Sequence, residues 1–280
     1  MRVAVFTMSY NEDVTLPIWV KYYGGLFGRE NLFVIDHGSN DGSTEGLHGV
    51  NLIKLPRTAF SDLKRSKMIS DLCENFLNFY DYFIYTDTDE FLCVDPSKHK
   101  DLKTYLQEVR PEYETAIGLN IFHSFDEEPE FNSSRKVLSQ RNYVYFMASM
   151  CKTLITKEPI KWGGGFHTCD KRQSFGEVYN FHSKFMDRGI ALDRLRVLRN
   201  IPRDGNFGNH QMILDHDLML AYAQINSRHR GSDFEFSENI NELLSLVELD
   251  ASGKYVYDLD YNGDTPYHLR KIPETFKGVF

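Results

Sequence analysis

The chain has 280 residues, 41% of them hydrophobic and 26% charged, with a formal net charge of −8. That size fits one large domain, or one domain with a small appendage, and excludes a disordered or fibrous chain. No apolar run approaches the roughly 18 residues that span a membrane. Residues 231–280 carry ten Asp/Glu against four Lys/Arg, which leaves −2 on the first 230 residues. This excludes a nucleic-acid-binding body and marks the last fifth as a separate acidic segment. Cys73, Cys93, Cys151 and Cys169 stand far apart without a C-x-x-C pair. They read as free or buried thiols, not as a disulfide framework or zinc site. Met1 to Phe6 soon meets polar Ser9 to Asp13, so it reads as a first strand of a cytoplasmic protein and not as a targeting segment.

The first ninety residues alternate strand and helix. Val3 to Met8 forms strand one, and Leu16, Trp19, Val20 and Tyr23 then recur at helical spacing up to Gly24-Gly25. Leu32 to Ile35 forms strand two, followed by the Gly/Ser/Asn turn of residues 38–43. Leu52 to Leu55 forms strand three, a helix runs from Asp62 to Phe79, and Tyr82 to Tyr85 forms strand four. This alternation predicts an α/β fold, a doubly wound and mostly parallel sheet flanked by helices. Further on, the pattern predicts a helix through Leu102 to Val109, a strand from Ala116 to Phe122 and a long polar loop over 123–136. Strands follow over 143–156 and 178–185, and a helix over 211–224. The expected organisation is a nucleotide-sugar-binding and catalytic domain over 1–185. A C-terminal helical and acidic extension over 186–280 packs on it.

The chemistry concentrates at predicted strand ends. Asp87-Thr88-Asp89-Glu90 follows strand four directly, where an open α/β sheet keeps its ligand crevice. Asp87 and Asp89, one residue apart, can direct oxygens at one hard cation, Mn2+ or Mg2+. Strand one ends at Ser9-Tyr10-Asn11-Glu12 and strand two at Asp36. Asp36 could accept from a nucleobase, with Asn11 or Glu12 beside it, since Asp41 and its neighbours already supply the turn; the other reading has Asn11 cap a helix and Asp36 build a turn with Asp41. Arg65 and Lys67 flank the apolar face of the 62–79 helix, either near a diphosphate or on a solvated surface. His182 and Lys184, two apart on a predicted strand, share a face, so an imidazole could join the metal shell while the ammonium meets a phosphate. His167, after Trp162 and three glycines, is the alternative metal ligand. Glu127, Glu128 and Asp170 each follow a predicted strand and are candidate general bases. Residues 184–203 hold six Lys/Arg and two Asp, a basic face for an anionic acceptor or the inner surface of a membrane, or an ordinary charged helix.

Taken together, these residues resemble the family-2-like glycosyltransferases of the GT-A fold. Ser9-Tyr10-Asn11-Glu12-Asp13 resembles the opening of a bacterial branch of that family. Ile35 to Ser43 resembles its Asp-Asp-Gly-Ser-Thr turn, with His37 in place of the second Asp. Asp87-Thr88-Asp89-Glu90-Phe91-Leu92 resembles its Asp-x-Asp-Glu-Phe metal motif, and Asn180-Phe181-His182-Ser183-Lys184 its late Asn-His-x-x-Lys segment. The resemblance covers residues 1–185. It implies a nucleotide-sugar donor, commonly UDP-linked, and Mn2+ or Mg2+ on the Asp-x-Asp. Asp36 would contact uracil, Asp87 and Asp89 the ribose and the metal, and His182 the metal or a phosphate. The acceptor would be a glycan or a lipid-linked glycan, in surface polysaccharide or glycoconjugate synthesis. Two other readings stay open: a nucleotidyltransferase, and a non-catalytic glycan-binding module. The loop from Ser9 to Asp13 has neither the glycines nor the cation that nucleotidyl transfer would favour there.

Overall fold

The computed structural model describes residues 1–204, 212–259 and 268–280. The expected first unit forms as β1 (Val3–Ser9), α1 (Thr15–Phe27), β2 (Leu32–Asp36), β3 (Asn51–Lys54), α2 (Asp62–Phe76) and β4 (Tyr82–Tyr85). Helix α1 runs past Gly24-Gly25 and stops at Gly28, whose φ of 89° no longer continues a helix. Strand β1 pairs in parallel with both β2 and β4, and β2 with β3, giving the order β3-β2-β1-β4. Val3, Ala4, Val5 and Phe6 are all buried, as expected of a strand covered on both faces. The chain builds outward from β1 to β3 and then returns to the other side of β1. The strand order therefore reverses between β1 and β4, and in open α/β sheets the ligand crevice lies beyond the carboxyl ends of the strands at such a point.

Strand β5 (Glu90–Val94) follows immediately, a strand absent from the sequence pattern because Asp87 to Glu90 read as a loop with an apolar flank. It pairs antiparallel with β9 (Phe175–His182), setting Glu90 opposite His182. Between them lie α3 (Leu102–Glu108), β6 (Tyr113–Phe122), β7 (Tyr143–Phe146) and β8 (Thr153–Thr156). The single strand expected over 143–156 is thus two, divided by a 3-10 turn at Ala148–Met150. That turn presses on β6 at Gly118, where a Cβ would come within 2.4 Å of the Met150 carbonyl carbon. Strand β8 pairs antiparallel with β4 and β6, and β6 parallel with β9, so β1, β4, β6 and β9 all end at one edge of the sheet.

The extension begins with α4 (Arg188–Arg199) and α5 (Asp215–Asn226). Ala191, Leu195, Leu218 and Tyr222 join Phe122 and Tyr145 in a second apolar cluster. The helix expected over 211–224 starts at Asp215, and its residue 211 lies outside the described residues. Strand β10 (Arg230–Gly231), α6 (Ser237–Ser245), β11 (Glu248–Leu249), β12 (Tyr255–Val256) and β13 (Leu269–Lys271) complete the chain. Strand β13 bonds to β7, and β10 to β13, extending the same sheet. Among the described residues, no helix is long and apolar enough to cross a membrane.

Candidate functional site

Three turns line the crevice. The turn after β1 is bound to the turn after β2: the Asn11 side chain donates to Asn40 Oδ1 and accepts from Asn40 N, both at 2.9 Å, and Asn11 N donates to Ser39 Oγ. Asn11 holds φ 51°, a left-handed conformation that Asn tolerates better than most residues. Asp36, 4% exposed, accepts from Ser39 N at 2.8 Å and from the Thr44 hydroxyl at 3.0 Å. Asn11 and Asp36 therefore spend their polar atoms bracing the walls. Beside them Arg57 lies 3.6 Å over the Tyr10 ring and donates to the His37 carbonyl.

Glu12 faces the carboxylates of the third turn. It pairs with Arg194 of α4 and accepts from the Thr15 hydroxyl at 2.9 Å; that hydroxyl meets the Thr88 hydroxyl at 3.1 Å. Burial raises the Glu12 carboxyl to about 7 against the pull of Arg194, with Asp89 and Asp87 adding to the rise. Arg194 also donates to the Tyr10 and Asn11 carbonyls.

The turn Asp87–Glu90 carries the densest charge. Asp87 Oδ1 accepts from Arg65 at 2.6 Å and from the Tyr85 hydroxyl at 3.0 Å, and its Oδ2 lies 3.7 Å from Lys152 Nζ. Burial opposes ionisation of Asp87, yet Arg65 and Lys152 outweigh it and hold the carboxyl below the ordinary range. Glu90, 1% exposed, accepts from Lys152 at 2.6 Å and from Asp87 N at 3.2 Å. Glu90 stands in the Asp-x-Asp-Glu-Phe motif without a role of its own in the sequence reading, and Lys152, one residue before β8, carries no sequence signal for a site.

Asp89 differs from its neighbours. Its Oδ2 lies 3.2 Å from His182 Nε2, while His182 Nδ1 is 2.5 Å from Asn120 Oδ1. The ring therefore bridges Asn120 and Asp89; in the tautomer that carries its proton on Nδ1, Nε2 would be free to share a cation with the Asp89 carboxylate. Burial opposes the Asp89 charge, but His182 and then Lys152 and Lys184 keep the carboxyl low. Lys184 is lowered by burial and raised by Asp89; its ammonium has no hydrogen bond or ion pair among the described residues, only the Phe185 ring at 5.5 Å. No three His, Cys, Asp or Glu side chains among the described residues form a metal cage. Asp89 and His182 still fit a Mg2+-type ion, which commonly takes one or two protein ligands and completes its shell with water and substrate phosphates.

The remaining candidates stand apart from this pair. His167 Nδ1 donates to the Ser149 carbonyl at 2.6 Å; burial and then Lys152 push it down to about 3, so the ring is neutral. Lys67 is solvent-exposed and pairs with Asp71 on its own helix. Asp170 accepts from Lys161 N. Glu128 is buried and accepts from Ser124 N and Asn142 N, whereas Glu127 is exposed and accepts from the Tyr143 hydroxyl.

No family model and no curated protein matches the chain. Among solved structures it is similar to a mannose-1-phosphate geranyltransferase from Thermus thermophilus, at 10% identity and a TM-score of 0.29, over 44% of this chain and 41% of that one. It is similar to a cytidylyltransferase from Leptospira borgpetersenii serovar Hardjo-bovis, at 15% identity and 0.28, over 41% and 54%. It is also similar to a CMP:2-keto-3-deoxy-manno-octonic acid synthetase complexed with CTP, at 11% identity and 0.31, over 80% and 87%. The chain thus spans about half the length of the first two, and likenesses at this level carry nothing of activity across.

Proposed function

We propose that the chain is a metal-dependent transferase acting on a nucleotide diphosphate sugar, and that it moves the sugar to a hydroxyl of a glycan or lipid-linked glycan. The observation that carries this reading is the Asp89–His182 pair, a carboxylate oxygen and a ring nitrogen 3.2 Å apart, next to Lys184, whose ammonium has no hydrogen bond or ion pair among the described residues. In this reading Asp89 and His182 hold Mn2+ or Mg2+, and Lys184 meets the diphosphate. A bound cation supplies charge neutralisation at the leaving diphosphate. Residues 1–185 bind the donor, and the 186–280 extension packs over them through α4. Glu127, whose exposed carboxylate braces no backbone group, takes the part of the base.

Nucleotidyl transfer is the second reading. The same crevice, with Arg57, Arg65 and Lys184 along it, would serve a nucleoside triphosphate. Against it, the turn after β1 has no glycine, and Arg194 there is already committed to Glu12 and two carbonyls.

The test is a thermal-shift series with UDP, GDP and CDP, their sugars, and CTP, each with Mn2+ and with chelator. A ligand at 100 times its Kd adds about 2.7 kcal/mol of stability. The glycosyltransferase reading expects Mn2+-dependent stabilisation by a nucleoside diphosphate, lost in Asp89→Asn. Stabilisation by CTP alone turns the assignment to nucleotidyl transfer. Silence toward every nucleotide removes both.

A further inference from the structure

Among the described residues, Glu12, Asp87, Asp89 and Glu90 face one another around the turn after β4, and three of the four have a Lys or Arg partner. Glu12 pairs with Arg194, Asp87 with Arg65, and Glu90 with Lys152. Lys152 is the deepest of these cations, 4% exposed, and it alone touches two residues of the Asp87–Glu90 turn: Glu90 Oε1 at 2.6 Å and Asp87 Oδ2 at 3.7 Å. Glu90 returns to the same turn by accepting from Asp87 N at 3.2 Å. A buried ammonium between two carboxylates, one of which also grips the turn's backbone, acts on Asp87 Oδ2 while Arg65 and the Tyr85 hydroxyl hold its Oδ1. A buried pair of this kind adds little to stability compared with well-packed neutral groups. A role in placing the turn is the better account of it.

We infer that Lys152 is a positioning residue, a built-in cation that with Glu90 holds Asp87 in place so that Asp89 and His182 alone are offered to the divalent ion. The inference rests on the nucleotide-binding reading above. It makes the geometry of the turn depend on a side chain just before β8, about sixty residues further along the chain.

The experiment measures, by titration calorimetry on the full chain, the Kd of the nucleoside diphosphate that stabilises the wild type, with Mn2+ present. Four proteins are compared: wild type, Lys152→Met, Lys152→Met/Glu90→Gln and Lys152→Arg. Folding is checked by near-ultraviolet circular dichroism and by Tm. Lys152→Met leaves Glu90 buried without a partner, and it melts early. The double variant removes the buried pair as a unit and regains most of the Tm. If Lys152 positions Asp87, the double variant still binds nucleotide at least tenfold more weakly, with reduced Mn2+ dependence. Recovery of wild-type affinity along with the fold would show that Lys152 merely neutralises Glu90, and would overturn the inference. Lys152→Arg decides the matter even if the double variant does not fold. It keeps the interior charge, but its larger, planar head in the place of a 4%-exposed ammonium must displace Glu90 or Asp87, so a folded protein with at least fivefold weaker binding is expected; unchanged affinity overturns the inference. A wild type that binds no nucleotide fails the functional reading itself and takes this inference with it.

Discussion

Arg194, on a helix of the C-terminal extension, donates to the carbonyl of Asn11 at 2.7 Å across 183 residues of chain. It donates to Tyr10 O at 3.1 Å as well, and pairs with Glu12. One side chain thus holds three successive residues of the turn that walls the crevice. Two of its contacts satisfy backbone carbonyls at a point where Asn11 leaves the regular conformations.

Arg194→Ala is expected to cost about 1–3 kcal/mol, because it strands a carboxylate and two carbonyls in a half-buried place. It is also expected to weaken nucleotide binding at least tenfold by loosening the wall. Comparing Tm with the Kd of the stabilising nucleotide checks both effects. A lower Tm with unchanged Kd would reduce Arg194 to a structural tie.

Asn11 is tested by a pair of substitutions. Asn11→Gly accepts φ 51° without strain but loses the reciprocal bonds to Asn40. Asn11→Ala loses those bonds and is strained as well. The expected order of Tm is wild type, then Gly, then Ala, with the last step about 1 kcal/mol. Equal melting of the two variants would mean that the backbone relaxes at this turn.

Arg141, 0% exposed, donates to the carbonyls of Met186, Pro129 and Gln140 and to Asp187 Oδ2, and it lies near Glu128. Arg141→Met leaves two buried carboxylates without their cation. A loss of about 3–5 kcal/mol is expected from breaking such a pair on one side only. Chemical denaturation gives the number directly, and a loss below about 1 kcal/mol would contradict it.

Glu114, 3% exposed, is raised from 4.5 to about 7 by burial, against the bonds from Tyr105 and from the backbone of residues 176–178. A carboxyl whose folded value exceeds its unfolded one favours folding while protonated. Its contribution is complete below about 4.5 and disappears as pH rises through about 7. The ionised group then makes the fold about 3 kcal/mol weaker at pH 8 than at pH 4. Glu114→Gln should flatten that part of the stability curve, as seen in urea midpoints across pH 4–8. An unchanged slope would assign the pH dependence to other groups.

Much of the fold was legible because local pattern and tertiary burial coincide in the first ninety residues. Val3 to Phe6 and Tyr82 to Tyr85 are apolar runs covered on both faces, and Trp19 and Tyr23 face the same core from α1. Strand β5 was not legible, since Glu90 belongs to an acidic run, and only pairing with β9 makes it a strand. Asp36 and Asn11 have the right chemistry for ligand contact and the right chemistry for turns. The sequence leaves both uses open, and the hydrogen bonds from Ser39, Thr44 and Asn40 show what they do here.

By itself, the sequence determined the alternation of strands and helices and the placing of Asp87 and Asp89 at a strand end, because periodicity and turn chemistry act over a few residues. Which charges meet was decided only by the tertiary structure. Arg65, Lys152 and Arg194 come from separate parts of the chain to Asp87, Glu90 and Glu12, as the His182 ring comes to Asp89. Their partnership depends on strand order and helix packing, and a buried charge finds its partner through space, not along the chain.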